Sequence, residues 1–131
     1  MTHAPVLPPT VLVVDDDDAV RTLLRAALPL FGLAGLFAAS GEEAVEVYRR
    51  LGSSVDLVLS DVRMSPGMDG PQTVAALQML NQSLRFCFMS GDSGGYSTAD
   101  LLALGAARVF HKPFPNLKAL ALELRELARA E

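Results

Sequence analysis

Short apolar runs alternate with segments of helical periodicity along this chain, and the alternation constrains its fold more than any other feature. Five such pairs fit into the 131 residues, half of which are apolar, enough for the core of one domain. The apolar runs cover residues 11–14, 33–38, 55–60, 85–90 and 107–110. Because most are apolar on both faces, they are typical of parallel strands covered by helices on both sides. The pattern predicts a single doubly wound α/β domain.

The predicted helices are amphipathic and carry start and stop signals. Ser-x-x-Glu at residues 40–43 and Ser-x-x-Asp at residues 97–100 are capping boxes that predict the starts of the second and fourth helices. Asp17 or Asp18 is expected to cap the first helix. Pro29 is expected to kink or end that helix.

Polar side chains follow four of the five predicted strands. An aspartate run at residues 15–18 ends the first strand, Asp61 the third, Ser90 the fourth and Lys112 the fifth. Each alone has an ordinary explanation as a helix cap, turn residue or surface charge. Parallel strands deliver their carboxyl ends to one edge of the sheet, so these groups are expected to converge there. Clustered carboxylates repel one another unless a cation is present, and the combination therefore predicts a cation-dependent pocket.

The residue types at this edge suit phosphoryl chemistry. Magnesium takes oxygen ligands, commonly one or two carboxylates together with water and phosphate oxygens. Asp16 and Asp61 are the candidates for direct carboxylate ligands. Lys112 and Ser90 can position a phosphoryl group and neutralise its charge. A carboxylate held beside the metal can act as the nucleophile and form an aspartyl phosphate.

At this point the sequence resembles a known family, the receiver domains of response regulators in two-component signalling. The resemblance covers residues 10–130 and rests on four motifs in order. These are Val11-Leu12-Val13-Val14-Asp15-Asp16, Asp61 with Met68-Asp69-Gly70, Ser90-Gly91, and Lys112-Pro113-Phe114. It implies one flavodoxin-like (βα)5 domain of CheY-like type, with five parallel strands in the order 2-1-3-4-5, and divides the chain into an N-terminal tail at 1–9 and a receiver domain at 10–131.

The resemblance also implies roles for individual residues. Asp61 is the expected phosphoacceptor, and Mg²⁺ is the expected cofactor. Its expected ligands are Asp16 and Asp61, the backbone carbonyl of Arg63, and Asp15 through a water molecule. Lys112 is expected to pair with the phosphoryl oxygens, through a loop in which the Lys112–Pro113 bond is cis. Ser90 is expected to donate a hydrogen bond to one of those oxygens.

The implied function is that of a signalling switch that catalyses only its own phosphorylation and dephosphorylation. The implied partners are a sensor histidine kinase or phosphotransfer protein, and a downstream effector or fused output domain. A homodimer through the fourth helix, fifth strand and fifth helix is a further expectation. The last helix, predicted over residues 116–130, exposes Leu122, either as a partner contact or as an ordinary surface leucine.

The sequence departs from the family pattern in two places and carries a charged pair beside the site. The loop at residues 64–70 is one residue longer than usual, which is expected to reshape the rim beside the acceptor. Val109 stands where many receivers have a tyrosine or phenylalanine, so switching is expected to depend on Ser90 and the segment after it, with Tyr96 as a candidate replacement ring. Arg63 and Asp92 are predicted either to form a salt bridge that shields the phosphoryl group or to be two solvated charges.

Composition limits the class of protein. With 11 Lys and Arg against 15 Asp and Glu, the net charge is −4, and no basic block favours direct binding of nucleic acid. Cys87, the single cysteine, lies in an apolar run and is expected in the core of a protein from a reducing compartment. No signal peptide or membrane-spanning stretch is visible, so a cytoplasmic protein without membrane contact is expected.

Two other functions fit parts of the sequence. In a haloacid-dehalogenase-like phosphatase, Asp15 would be the nucleophile and Asp17 the acid-base, but such enzymes need an acidic pair after the lysine. Here the first acidic residue after Lys112 is Glu123, within a predicted helix. The other function is that of a receiver-like interaction module that is not phosphorylated, which the loss of the aromatic residue at Val109 keeps open.

Overall fold

The computed structural model describes residues 7–91 and 95–130. Within these ranges, strands and helices alternate as predicted. The elements are β1 (Thr10–Val14), α1 (Asp18–Leu30), β2 (Ala34–Ala38), α2 (Gly41–Leu51), β3 (Leu57–Asp61), α3 (Gly70–Leu80), β4 (Phe86–Ser90), α4 (Thr98–Ala103), β5 (Val109–His111) and α5 (Leu117–Arg129). The strands form one sheet in the order β2-β1-β3-β4-β5, and every pairing is parallel. The predicted fold is confirmed; the division into 1–9 and 10–131 stays a prediction, although β1 does begin at Thr10.

The sheet separates two apolar layers because successive side chains of a strand point to opposite faces. In β1, Val11 and Val13 face the layer formed with α1 and α5. Leu12 and Val14 face the layer formed with α2, α3 and α4. All four side chains are fully buried, and burial of each contributes about 1.5 to 3 kcal/mol. The central strands are thus anchored on both sides, which makes their carboxyl ends a rigid base for a site.

The helices begin where side chains satisfy their free N–H groups. Asp17 caps α1, Ser40 caps α2 and Ser97 caps α4, all as predicted. Pro29 does lie at the end of its helix, since α1 stops at Leu30. The α3 helix also begins with a complete capping box, formed by Asp69 and Gln72.

One predicted strand boundary is wrong in a way that matters for the site. The third strand was expected over residues 55–60 but spans Leu57–Asp61. Val55 is held outside the strand because its N–H donates to the carbonyl of Gly52, which closes a single 3-10 turn. Asp61 is therefore the last residue of β3 and is fixed by the ladder to β4, opposite Met89.

The start of α3 packs directly on the backbone of β3. The N–H of Gly70 donates to the carbonyl of Val62 over 2.7 Å. A Cβ atom at position 70 would collide with the carbonyl oxygen of Asp61, so only glycine allows this approach. The fold thus couples the beginning of α3 to the residue that ends β3. None of the helices in the described parts of the chain is both long and apolar enough to cross a membrane.

Candidate functional site

Three carboxylates meet at the carboxyl edge of the sheet, as the strand-end pattern predicts. One oxygen of each of Asp15, Asp16 and Asp61 lies within 4.8 Å of the others. Asp15 and Asp61 are buried, with 0% and 7% of their surface exposed, whereas Asp16 is exposed to solvent. Burying two neighbouring carboxylates is costly unless cations and hydrogen bonds compensate their charge.

Asp15 is held by hydrogen bonds on both carboxylate oxygens. The N–H of Asp17 donates to Oδ1 over 2.9 Å, and Nζ of Lys112 donates to Oδ2 over 2.8 Å. The backbone N–H of Asp15 donates to the carbonyl of Ala38 at the end of β2. Asp15 is therefore a fixed part of the pocket, with its charge compensated by Lys112.

Lys112 bridges the two buried carboxylates. Its Nζ atom lies 2.8 Å from Asp15 and 3.4 Å from Oδ1 of Asp61. Burial lowers the pKa of Lys112, but the hydrogen bonds and charges of the two aspartates outweigh burial, and the net pKa is raised. The side chain thus stays an ammonium ion at neutral pH. The Lys112–Pro113 peptide bond is cis, as predicted.

The pocket raises the pKa of the Asp61 carboxyl group. Burial raises its pKa, and the neighbouring charge of Asp15 raises it further. Lys112 and the backbone N–H of Val62, which donates to Oδ1 over 2.9 Å, lower it again. The result is a pKa of about 6, so Asp61 is mostly ionised at neutral pH yet poorly solvated. A metal cation close to such an ionised and poorly solvated carboxylate would stabilise its negative charge.

The donor set fits a hard divalent cation. All three candidate ligands are carboxylates, and magnesium prefers oxygen ligands and keeps part of its water shell. The exposed side of Asp16 leaves room for such water. Lys112 pairs with Asp15 and Asp61, and this ammonium group together with the three carboxylates carries a net negative charge. The pocket thus agrees with the predicted magnesium site.

Ser90 and Arg63 lie at the rim of the carboxylate pocket. Ser90 is buried at the carboxyl end of β4, one strand away from Asp61, and pairs with His111 of β5. His111 is exposed. Arg63 is exposed two residues after the acceptor. Its predicted salt-bridge partner, Asp92, lies outside the described residues, so that pairing stays a prediction.

The longer loop between β3 and α3 is tied to α2. The N–H of Met68 donates to Oε2 of Glu42 over 3.3 Å. Gly67 takes a positive φ of 103°, and the Ser65–Pro66 peptide bond is cis. The loop thus contacts the second helix through Glu42, and the expectation that the extra residue reshapes the rim stays a prediction.

Tyr96 lies on the same side of the sheet as Val109. Both pack against the apolar layer that α2, α3 and α4 share, whereas Phe110 faces the opposite layer. The Tyr96 hydroxyl donates to Oδ2 of Asp69 over 3.0 Å. Tyr96 therefore connects the segment after β4 to the start of α3, the helix that packs on the strand carrying Asp61.

Asp17 does not occupy the position of the acid-base residue that a phosphatase would require. Its carboxylate accepts a hydrogen bond from the N–H of Ala19 over 2.9 Å and caps α1. The candidate nucleophile of that alternative, Asp15, is fully buried and already bonded through both oxygens. The geometry therefore favours Asp61 as the reactive carboxylate.

Comparison with known proteins agrees with this geometry. The family model described as "Response regulator receiver domain" matches residues 11–125. This chain belongs to the response regulator receiver family. Receiver domains are signalling switches of two-component systems, bind Mg²⁺ at an acidic pocket, and work with histidine kinases and output domains.

The curated relatives are larger signalling proteins. This receiver domain is 41% identical to the sensor kinase CckA of Brucella abortus over 90% of its own length, which is 12% of CckA. It is 37% identical to the transcriptional regulatory protein ZraR of Escherichia coli over 91% of its length, which is 26% of ZraR. The chain thus spans an eighth to a quarter of these relatives, one a kinase and the other a regulator.

Solved structures show the same fold. A response regulator receiver protein from Pseudomonas putida is 30% identical with a TM-score of 0.77, covering 92% of this chain and 97% of that one. The CheY4 protein of Vibrio cholerae is 27% identical with a TM-score of 0.79, covering 91% and 98%. CheY in the CheX-CheY-BeF3-Mg complex of Borrelia burgdorferi is 26% identical with a TM-score of 0.82, covering 92% and 90%.

The structure also contains contacts that sequence reasoning missed. Arg21, Glu42 and the Tyr96 hydroxyl each bind a group at or beside the pocket. For Arg21 a signal was available, because a basic residue three positions after Asp18 on a helix is placed to pair with it. For the other two, the partners are 26 and 27 residues away in sequence, and no local pattern brings them together.

Proposed function

We propose that Asp61 accepts a phosphoryl group and that the modified domain signals through a change in the segment after β4. The proposal depends on one observation: a buried, poorly solvated carboxylate shares a pocket with two other carboxylates and the ammonium of Lys112. This arrangement is what nucleophilic attack on a phosphoryl donor requires.

The transfer step uses groups of this chain that are already in place. An oxygen of Asp61 bonds to phosphorus while the bond between phosphorus and the imidazole nitrogen of a phosphohistidine breaks, and its electron pair leaves with the imidazole. A pKa of about 6 leaves Asp61 ionised and nucleophilic at neutral pH. Lys112, 3.4 Å from Asp61, is placed to donate to the phosphoryl oxygens. Attack of water on phosphorus later releases phosphate and restores the carboxylate.

Magnesium, when bound, supplies charge neutralisation on the phosphoryl oxygens. As its holders we propose Asp16 and Asp61 directly, the backbone carbonyl of Arg63, and Asp15 through a water molecule. The buried position of Asp15 beneath the pocket, with both oxygens engaged, supports an indirect role for it. The exposed carboxylate of Asp16 supports a direct one.

The switch begins with Ser90. A phosphoryl group adds about 1.5 to 2 negative charges and new acceptor oxygens. The Ser90 hydroxyl, at the end of the neighbouring strand, turns to donate to one of them and moves the following segment, including Tyr96. That movement biases the surface of α4, β5 and α5, where an effector or a fused output domain docks.

The same surface is the proposed homodimer face. Leu102 and Leu104 at α4 and Leu122 of α5 are 45%, 49% and 40% exposed. Sedimentation velocity with and without BeF3⁻ and Mg²⁺ tests this: a shift to the dimer in wild type, lost in Leu122→Glu, is expected. We further propose a cytoplasmic location and, from the net charge of −4, no direct contact with nucleic acid or membrane.

The deciding experiment is incubation with Mg²⁺ and acetyl phosphate, followed by intact-mass measurement and phosphopeptide mapping. Wild type is expected to gain one phosphoryl group on Asp61, and Asp61→Ala none. Asp56→Asn is the matched control, since Asp56 is exposed just before the same strand and its oxygen accepts from the N–H of Thr10, away from the pocket. Label on Asp15 would favour the phosphatase, and no label the unphosphorylated module.

A further inference from the structure

Arg21 of α1 reaches back to the acidic run and binds it at two points. Its Nη1 donates to the backbone carbonyl of Asp15 over 2.8 Å, and its Nη2 donates to Oδ1 of Asp18 over 3.0 Å. The Arg21 side chain is 17% exposed, whereas that of Asp18 is 85% exposed. The bond to Asp15 is therefore the sheltered one of the two, and the bond to Asp18 is a surface pair of small energetic value.

The carbonyl of Asp15 is the group that determines where Asp16 points. The Asp15 carbonyl and the Asp16 N–H belong to one planar peptide unit, so fixing the carbonyl fixes the start of Asp16. Among the described residues, no hydrogen bond or ion pair holds the Asp16 carboxylate itself. The direction of Asp16 thus depends on its backbone, which the Arg21 guanidinium holds at the carbonyl of Asp15 and the Asp15 carboxylate holds at the N–H of Asp17.

We infer that Arg21 is a positioning residue of the pocket: its guanidinium holds the Asp15–Asp16 peptide so that Asp16 faces Asp61 in the geometry that binds a divalent cation. This role rests on the proposed function, because it concerns the ion that supports phosphorylation. Arg21 touches neither the reacting carboxylate nor the phosphoryl group, and acts only through the peptide bond that it holds.

The sign of the effect separates this role from simple electrostatics. Removing a positive charge beside four aspartates strengthens the attraction of the pocket for Mg²⁺, if charge alone matters. Removing a group that orients a ligand weakens binding, by about tenfold to a hundredfold for residues just outside the ligand shell. Positioning and charge therefore predict opposite changes in Mg²⁺ affinity.

The test compares Arg21→Met with Arg25→Met by calorimetric titration with Mg²⁺ and by denaturant unfolding. Both variants remove one positive charge from α1. The Arg25 guanidinium lies over the Phe37 ring, 4.6 Å from its centroid, and serves as the matched control. Arg21→Met is expected to weaken Mg²⁺ binding about tenfold or more, and Arg25→Met to leave it equal or slightly tighter. Phosphorylation of Arg21→Met by acetyl phosphate is expected to recover at saturating Mg²⁺.

Arg21→Lys provides a second reading. Lysine keeps the charge and can reach one of the two acceptors but not both, so an affinity between those of wild type and Arg21→Met is expected. Should Arg21→Met fail to fold, Arg21→Gln, which also removes the charge and shortens the side chain, replaces it in the titration, and equal or tighter Mg²⁺ binding by that variant overturns the inference.

Equal or tighter Mg²⁺ binding by folded Arg21→Met also overturns it, even if wild type is phosphorylated. A wild-type domain that binds Mg²⁺ without gaining a phosphoryl group overturns the proposed function but leaves the role of Arg21 to be decided by the titration. A wild-type domain that does not bind Mg²⁺ overturns both.

Discussion

The hydroxyl of Tyr96 donates a hydrogen bond to Oδ2 of Asp69 over 3.0 Å, and so joins the segment after β4 to the start of α3. The other oxygen of Asp69, Oδ1, accepts from the N–H of Gln72 and caps the helix. The next residue, Gly70, packs against the carbonyl of Asp61. Tyr96 is thus linked to the backbone of Asp61 through Asp69 and Gly70. This link lies on the same face of the sheet as Val109, the position where many receivers have an aromatic residue.

The first prediction concerns the pKa of Tyr96. The hydrogen bond to Asp69 and the charge of that carboxylate both raise it. In a Tyr48→Phe background, Tyr96 is the only tyrosine of the chain, so ultraviolet absorbance follows its titration alone. Asp69→Asn is expected to lower the titration midpoint, while asparagine still caps α3. An unchanged midpoint would show that the bond does not persist in solution.

The second prediction concerns Tyr96 as a reporter of switching. If Ser90 moves towards a phosphoryl group, the segment that carries Tyr96 moves with it and the bond to Asp69 changes. Tyrosine fluorescence of the Tyr48→Phe domain is therefore expected to change on addition of BeF3⁻ and Mg²⁺. Ser90→Ala is expected to abolish the change without preventing Mg²⁺ binding. A change of equal size in Ser90→Ala would place the motion elsewhere.

Sequence patterns predicted those parts of this molecule that depend on neighbours in the chain. The alternation of strands and helices, the caps at Asp17 and Ser97, and the convergence of Asp16, Asp61 and Lys112 all follow from local patterning and the rule for strand ends, whereas the strand order was implied by the family resemblance. The family resemblance added the roles of these residues. Sequence patterns therefore predict the strands and helices and the polar residues at the carboxyl edge of the sheet.

The rest depends on contacts between distant segments. The fifth strand was expected over residues 107–110 but spans Val109–His111. Its first and last residues are determined by its pairing with β4, which the local sequence does not reveal. Two hydrogen bonds join parts of the chain that no periodic pattern relates. One runs from the N–H of Met68 to Glu42, and the other from the Tyr96 hydroxyl to Asp69. Such contacts need the folded geometry before they can be recognised.

The third prediction is a pH dependence of stability due to Asp61. Burial raises its pKa from 3.8 to about 6, so the folded domain holds this proton more tightly than the unfolded chain does. The stability that this group contributes is complete below pH 3.8 and is lost as the pH rises through 6. In EDTA above pH 6, Asp61→Asn is therefore expected to unfold with a free energy about 1 to 2 kcal/mol higher than wild type.

Denaturant melts of wild type, Asp61→Asn and the control Asp56→Asn between pH 4 and 8 measure this difference. The gap between wild type and Asp61→Asn is expected to close towards pH 4. It is also expected to narrow at pH 8 when Mg²⁺ is added, because the ion stabilises the wild-type pocket by mass action. A gap that does not vary with pH would mean that Asp61 is not the group responsible.

The fourth prediction concerns Lys112. Its ammonium compensates Asp15 and Asp61, so Lys112→Met leaves two buried carboxylates without a cation. In EDTA the variant is expected to lose about 1 to 3 kcal/mol of unfolding free energy, less than for a fully buried pair because Lys112 is 18% exposed. Mg²⁺ is expected to bind the variant more tightly and to restore part of the stability, while phosphorylation falls. Weaker Mg²⁺ binding would contradict this account.

The fifth prediction tests the contact between α3 and the acceptor strand. A Cβ atom at Gly70 meets the backbone carbonyl of Asp61, which cannot move aside without disturbing β3, whereas a Cβ atom at Gly91 comes no closer than 3.8 Å to Lys112. Gly70→Ala is therefore expected to destabilise the domain by about 1 to 3 kcal/mol. Gly91→Ala is the matched control and is expected to change stability little. Because the collision is with the residue that carries the carboxylate, Gly70→Ala is also expected to slow phosphorylation by acetyl phosphate at saturating Mg²⁺. Wild-type stability in Gly70→Ala would show that α3 can move away from β3, and the proposed link from Tyr96 through Asp69 to Asp61 would then lose its last step.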